Sequence, residues 1–218
     1  MNQLYPVFLK LHELRLLIVG AGVVGHEKLS FILKSSPNAR ITMVAPEVNA
    51  AVSDLLAQRP EARVVLVRRK FMRQDVRNAD LIIAATDLPM LNRRVRDAAK
   101  AAGKLVNVAD TPDLCDFYLG SIVTRGDLKI AISTNGQSPT FAKRFRQLLE
   151  EILPVETTEL LTHLRTVRDR LGGDFAEKVR ALNRLTASLV RHGARTTHCV
   201  GCPAAPQKIS EDTADYTK

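Results

Sequence analysis

Leu16-Leu17-Ile18-Val19-Gly20-Ala21-Gly22-Val23-Val24-Gly25 is a short apolar run that ends in Gly-x-Gly-x-x-Gly, and Lys28, Leu29, Phe31, Ile32 and Leu33 continue it in a helical pattern. A dinucleotide site requires that order. Gly20 makes the tight strand-to-helix turn, Gly22 lets the backbone approach a pyrophosphate, and Gly25 lets helix and strand pack closely. The helix N-terminus then supplies free N–H groups and the positive end of a dipole. The triplet alone would also suit a tight turn in a sheet protein that binds no nucleotide. The buried-type strand before it and the helix after it favour the dinucleotide.

The same alternation extends outward. Apolar strand-like runs fall at 15–19, 40–44, 63–67, 81–85 and 105–108, with helical patterns at 23–34, 48–58 and 89–102. Pro89 stands in the first turn of the last helix and Gly103 at its stop. Apolar strands alternating with helices imply a parallel sheet covered on both faces, an α/β Rossmann-type unit of about five strands over 1–112. After Pro112 the pattern changes. Runs at 119–125 and 128–132 flank Gly126-Asp127, a hairpin signal within a segment spanning 113–146. An isolated hairpin is marginally stable, so it is expected either to extend the sheet's edge or to pair with a second chain. Ser138-Pro139 reads as an N-cap followed by a first-turn proline, and Phe141, Phe145, Leu148, Leu149 and Ile152 recur beyond it at helical spacing until Pro154. Two further amphipathic helices meet at Gly172-Gly173, giving a helical region over 147–195, and the polar, proline-containing stretch 196–218 is expected to be a disordered tail.

Composition narrows the function classes. The net charge of +9 fits either a basic proteome and solvated surface or an anionic ligand, for which a polycarboxylate or a nucleotide serves as well as a nucleic acid. Tryptophan is absent and aromatics are 5% of the chain, which argues against the stacking platforms of single-stranded nucleic-acid binders. No apolar stretch reaches membrane-span length, and residues 1–14, carrying Lys10, His12 and Glu13, do not read as a signal peptide. Cys115, Cys199 and Cys202 are too few and odd in number for a disulfide framework, which suggests a reducing cytoplasm. His198-Cys199-Val200-Gly201-Cys202 has no second pair to complete a zinc site within the chain, which leaves it incidental or a metal bridge between two chains; His12, His26, His163 and His192 are dispersed, so no preformed histidine metal site is expected.

Candidate chemistry collects at the strand ends. Glu47, after Pro46, lies where an acid would bind the adenosine ribose, although a surface glutamate starting a helix fits equally well; NAD and NADP stay undecided on this ground. Thr86 and Asp87 end the fourth strand and could line the nicotinamide ribose, with Asp87 as an alternative cap for the following helix. Asp110 ends the fifth strand, where a carboxylate could take a proton while a hydride leaves carbon; Asp113 and Asp116 compete for that role. Ser133-Thr134-Asn135-Gly136-Gln137-Ser138 leads into a helix N-terminus, either an anion site or a well-capped connection, and Lys143, Arg144 and Arg146 follow it, an added attraction or a solvated face.

Taken together, Tyr5-Pro6-Val7-Phe8-Leu9, 19–25 with Lys28, Val44-Ala45-Pro46-Glu47, Ala84-Ala85-Thr86-Asp87 with Asn92, 106–110 and 132–139 run in the order of a known family. The chain resembles, over about residues 4–190, the precorrin-2 dehydrogenase/sirohydrochlorin ferrochelatase family, the N-terminal module of siroheme synthases. The resemblance implies NAD-dependent oxidation of precorrin-2 to sirohydrochlorin, with ferrous iron inserted by the same protein in some members. It also implies a homodimer joined through hairpins, with a helical C-terminal region. Carried over to this sequence, Gly20, Gly22, Val23, Val24, Gly25, Pro46, Glu47, Thr86 and Asp87 would contact NAD, and Asp110 would be the acid/base. Ser133, Thr134, Asn135, Gly136 and Ser138 would meet the tetrapyrrole. The alternative is a nucleotide-sensing regulatory module, which shares the strand–glycine–helix opening but needs no acid at Asp110. A basic nucleic-acid binder is the weakest reading, because the chain carries no recognition motif.

Overall fold

The computed structural model describes residues 3–191, in two compact units that divide between Glu159 and Leu160. The predicted tail over 196–218, with His198, Cys199 and Cys202, lies outside the described residues, as does His192.

The first unit is built on five parallel strands: β1 (Arg15–Val19), β2 (Arg40–Ala45), β3 (Val64–Arg68), β4 (Leu81–Ala84) and β5 (Leu105–Val108), in the order β3-β2-β1-β4-β5. Helices α1 (Val23–Ser35), α2 (Ala50–Ala57) and α3 (Pro89–Ala101) make the crossovers, with a short 3-10 segment (Arg73–Asn78) between β3 and β4. The period-2 pleat of β1 and β4 divides the core in two. Leu16, Ile18, Leu81 and Ile83 pack with Leu29, Leu33 and Val52 on one face, and Leu17, Val19, Ile82 and Ala84 pack with Val95, Ala98 and Ala99 on the other. This is why these strands read as unbroken apolar runs.

Element boundaries differ from the sequence expectation by one or two residues, for local reasons. Helix α2 starts at Ala50, because the Asn49 side chain caps it by accepting from the Ala51 N–H at 2.9 Å. Helix α3 opens on Pro89 as expected, and Gly103 turns the chain out of it at φ 66°.

A forked ion pair clips the start of β1 to the residue before β4. Arg15 Nε and Nη2 donate to the two Asp80 carboxylate oxygens at 3.0 and 2.8 Å, and the Arg15 backbone N–H adds a third bond at 2.9 Å. The Arg15 guanidinium hydrogen bonds, followed by its backbone N–H, hold the Asp80 carboxyl far below the ordinary carboxylate range. A folded-state pKa below the unfolded one stabilises the fold above about pH 4, and that contribution fades as pH falls further. Asp80→Asn is therefore expected to lower Tm by about 2–4 °C at pH 7, with the gap to the native chain closing toward pH 2 in thermal melts.

The hairpin, β6 (Ser121–Arg125) and β7 (Leu128–Ile132), forms its own antiparallel sheet, correcting the expectation that it might extend the parallel one. The outer edge of β5 is already taken by the returning chain. Asp116 accepts from the Val106 N–H through Oδ2 (3.0 Å) and donates its own N–H to the Val106 carbonyl (2.8 Å), while Cys115 Sγ accepts from the Val108 N–H (3.2 Å). With those edge groups paired, β5 offers no ladder for another strand. The hairpin instead packs Val123 and Ile132 on Ala142, Leu149 and Leu153, at helix α4 (Pro139–Ile152). Ser138 caps that helix by accepting from the Phe141 N–H at 3.1 Å, as its Ser-Pro signature predicts.

Helix α5 (Thr157–Arg170) runs into the second unit, which continues through Gly172-Gly173 to α6 (Phe175–Arg191). A capping box starts α6: Asp174 accepts from the Glu177 N–H at 2.8 Å, and Glu177 accepts from the Asp174 N–H at 3.2 Å.

Candidate active site

β1, β2 and β4 are neighbours in register, with Val19 beside both Val44 and Ala84, so the residues that follow them emerge along one edge of the sheet. The chain order reverses between β1 and β4, and in open parallel sheets that crevice is where ligands bind. Gly20 turns there at φ 106°, its N–H bonded to the Val44 carbonyl at 2.9 Å. A Cβ on Gly20 would lie 2.4 Å from the Ala85 oxygen, and one on Gly25 would lie 2.2 Å from the Gly20 oxygen. Gly22 differs: it is exposed, nothing lies within 4 Å of its Cβ position, and it begins α1 with no side chain capping the helix. A cradle open at Gly22 and closed beneath Gly20 and Gly25 suits a pyrophosphate lying on the backbone. Val23 is 75% exposed beside it, while Val24 packs on the core.

Pro46 and Glu47 are exposed beyond β2, and because Asn49 caps α2, Glu47 does not start that helix. Thr86 is held rigidly. Its hydroxyl donates to Asn92 Oδ1 at 2.7 Å, its N–H bonds the same oxygen at 3.2 Å, and Asn92 Nδ2 returns a bond to the Thr86 carbonyl at 2.9 Å. Asp87 is exposed and does not cap α3, whose N-cap is Leu88 without a side-chain bond.

β5 carries the same edge one strand further. Ala109 still bonds the Ala84 carbonyl at 2.9 Å, and Asp110 then enters the left-handed region at φ 56° while Thr111 closes the turn on the Val108 carbonyl at 3.2 Å. A non-glycine residue in that conformation is uncommon, though aspartate tolerates it better than most. Asp110 opens onto a cleft of about 310 Å³. Ser133, Thr134 and Gly136 line the same cleft; Asn135 and Ser138 do not, and serve the loop and the α4 cap instead. Nor do Lys143, Arg144 and Arg146 line it.

The competing aspartates separate on geometry. Burial works against charge on Asp116, but Lys100 Nζ at 2.6 Å and the Val106 N–H outweigh it and hold the carboxyl below its usual range, as a tie between α3 and β5. Asp113 is exposed in the 3-10 turn Pro112–Leu114 and lies outside the cleft.

Lys28, Asn107, Cys115 and Tyr118 also line the cleft, and sequence reasoning gave none of them a role. Asn107 is buried and donates to the Phe117 carbonyl at 2.8 Å. Burial pushes the Cys115 thiol pKa up, so it is protonated at neutral pH, and it donates to the Val108 carbonyl at 3.2 Å. These two brace the turn that presents Asp110. Only their tertiary bonds reveal this, whereas Lys28 carries a local signal, three residues after Gly25 on the same helix. Among the described residues no group of His, Cys, Asp and Glu could hold a metal, and no helix is long and apolar enough to cross a membrane.

Comparison with known proteins bears on the fold and the family. A family model described as "Putative NAD(P)-binding" matches residues 7–121, and one described as "Sirohaem biosynthesis protein central" matches residues 125–152. Siroheme synthase of Mannheimia succiniciproducens is 34% identical over 176 residues, covering 81% of this chain and 34% of that protein. Siroheme synthase of Pseudoalteromonas translucida is 38% identical over 178 residues, covering 82% and 35%. The chain thus spans about a third of the length of these relatives. A solved structure, "SirC, precorrin-2 dehydrogenase", superposes with a TM-score of 0.65 at 28% identity, covering 84% of this chain and 89% of that one. The chain belongs to the NAD(P)-binding family that the first model describes.

Proposed function

We propose that this chain oxidises precorrin-2 to sirohydrochlorin, passing a hydride to NAD and releasing a proton. The observation that carries the reading is Asp110, an exposed carboxylate at the mouth of a cleft two strands along the sheet from the glycine cradle. A bound nicotinamide would supply the hydride acceptor. The protein's own part is to hold both reactants and to accept, at an Asp110 carboxylate oxygen, the proton that a second position of the macrocycle releases as the hydride leaves the first. Gly20, Gly22 and Gly25 with the N–H groups of α1 would hold the pyrophosphate, and Thr86, fixed by Asn92, would support the nicotinamide ribose. Glu47 supports NAD over NADP, because a carboxylate there accepts from ribose hydroxyls and repels a 2′-phosphate.

The test is anaerobic incubation with precorrin-2 and either dinucleotide. Formation of sirohydrochlorin and reduced nicotinamide, faster with NAD, is expected. Nucleotide binding without product would return the chain to the sensing-module reading. Iron insertion draws support from the same carboxylate, since ferrous iron as a substrate displaces two pyrrolic protons that need an acceptor. Siroheme formed anaerobically from sirohydrochlorin and ferrous ion without NAD, and lost in Asp110→Asn, is the expected result. The half-buried Cys115 thiol and the nicotinamide chemistry fit a cytoplasmic setting.

The unit also fits a homodimer. Phe141, Phe145, Leu148 and Ile152 follow one face of α4 and are 39–59% exposed, the two phenylalanine rings stacked at 5.8 Å. Four large apolar side chains in one exposed stripe are more than a monomer's surface usually leaves uncovered. In analytical ultracentrifugation the native chain is expected to sediment as a dimer, and Phe145→Glu as a folded monomer.

A further inference from the structure

We infer that Lys28 is a substrate-positioning residue that binds a peripheral carboxylate of the tetrapyrrole beside Asp110. The inference rests on the proposed function, because it assigns a role to a wall of that same cleft. Among the described residues that line it, Lys28 is the sole lysine or arginine and Asp110 the sole Asp or Glu. The Lys28 side chain is only 22% exposed, unlike an ordinary solvated lysine. Position on the helix explains this: Lys28 lies four residues from both Val24 and Ile32, which pack in or against the core, so its stem runs along the inward side of α1. Its ion-pair partner is the adjacent Glu27, at 3.0 Å and with a side chain 69% exposed. Neighbouring helix positions do not face each other, and an exposed pair of this kind contributes little. The ammonium can exchange that contact for a ligand carboxylate at small cost.

Placement adds the mechanistic reason. Gly22 and Gly25, which would hold the dinucleotide, and Lys28, which would hold the substrate, stand within two turns of one helix. A rigid element carrying both contacts fixes the distance from ring carbon to nicotinamide, which a hydride transfer needs. Precorrin-2 carries acetate and propionate groups around its ring, so one cation in the cleft selects orientation rather than merely charge.

Three variants test this: Lys28→Gln, Lys28→Arg and Asp110→Asn. In Lys28→Gln the loss is expected to fall mainly on KM for precorrin-2, which rises about tenfold or more, rather than on kcat. Absorbance titration with sirohydrochlorin, without dinucleotide, should show the same loss of affinity and a weaker salt dependence than the native chain. Lys28→Arg should recover most of it. Fluorescence titration with NADH should give affinities within about twofold of native for both lysine variants, which a general distortion of α1 would not allow. An unchanged KM and sirohydrochlorin affinity, or a parallel loss of NADH affinity, overturns the assignment. If Asp110→Asn loses turnover while Lys28→Gln matches the native chain, the lysine role alone falls. If the native chain neither oxidises precorrin-2 nor binds sirohydrochlorin, the proposed function falls and takes the lysine role with it.

Discussion

Asp110→Asn is expected to lower kcat for precorrin-2 oxidation by about 10²–10⁴-fold while leaving dinucleotide affinity within about twofold. The choice of asparagine follows from the backbone. Asp110 sits at φ 56°, where most side chains cost roughly 1–2 kcal/mol and asparagine, like aspartate, costs less. Asp110→Ala would mix loss of the base with strain in the turn that Thr111 closes on Val108. The amide keeps the shape, the conformation and one hydrogen-bonding oxygen, and removes the charge and with it the capacity to take a proton. Anaerobic turnover followed by nicotinamide absorbance, beside a direct NADH titration, separates the two quantities. An asparagine variant retaining more than about a tenth of native kcat would exclude Asp110 as the proton acceptor, because a positioned base contributes at least about a hundredfold.

The glycine triplet should split into two behaviours. Gly25→Ala drives a methyl to 2.2 Å from the Gly20 carbonyl oxygen, and both are backbone-anchored at the β1–α1 joint, so neither can swing away. Overpacking of that kind costs about 1–3 kcal/mol or more, an expected Tm loss of roughly 5–10 °C for a chain of this size, with dinucleotide binding impaired as a consequence. Gly22→Ala meets nothing within 4 Å, and its φ of −80° suits alanine, so Tm should stay within about 2 °C. Its methyl would nevertheless stand where the pyrophosphate must approach, and NADH affinity should fall about tenfold. Melting curves and NADH titrations of the two variants provide the contrast. Undiminished NADH affinity in Gly22→Ala would move the dinucleotide away from this turn.

Much of this is legible in the sequence, and the reason differs by element. β1 and β4 announced themselves because a strand buried on both faces must be apolar at every position. The ends of α3 and α4 were legible in Pro89, Gly103 and Ser138-Pro139, since capping is decided within a turn of the residue concerned. Helix α2 starts two residues later than the apolar pattern predicts, because Val48 extends that pattern past Asn49, the true cap. At the site, residue type and order exposed the cradle and a choice of three aspartates, and the family resemblance singled out Asp110.

The sequence by itself determined the α/β alternation, the glycine turn and the NAD(P)-binding family, because each is written in spacings of two, three or four residues or in short motifs. Tertiary structure alone decided that the hairpin stands apart from the sheet, since the β5 edge is consumed by Asp116 and Cys115 folding back on Val106 and Val108. It alone showed that Asp116 is spent on Lys100 and that Asp110 shares a cleft with Lys28 and Thr134. Those groups stand far apart along the chain. Their meeting depends on how the sheet order β3-β2-β1-β4-β5 brings strand ends together, and local periodicity carries no record of that.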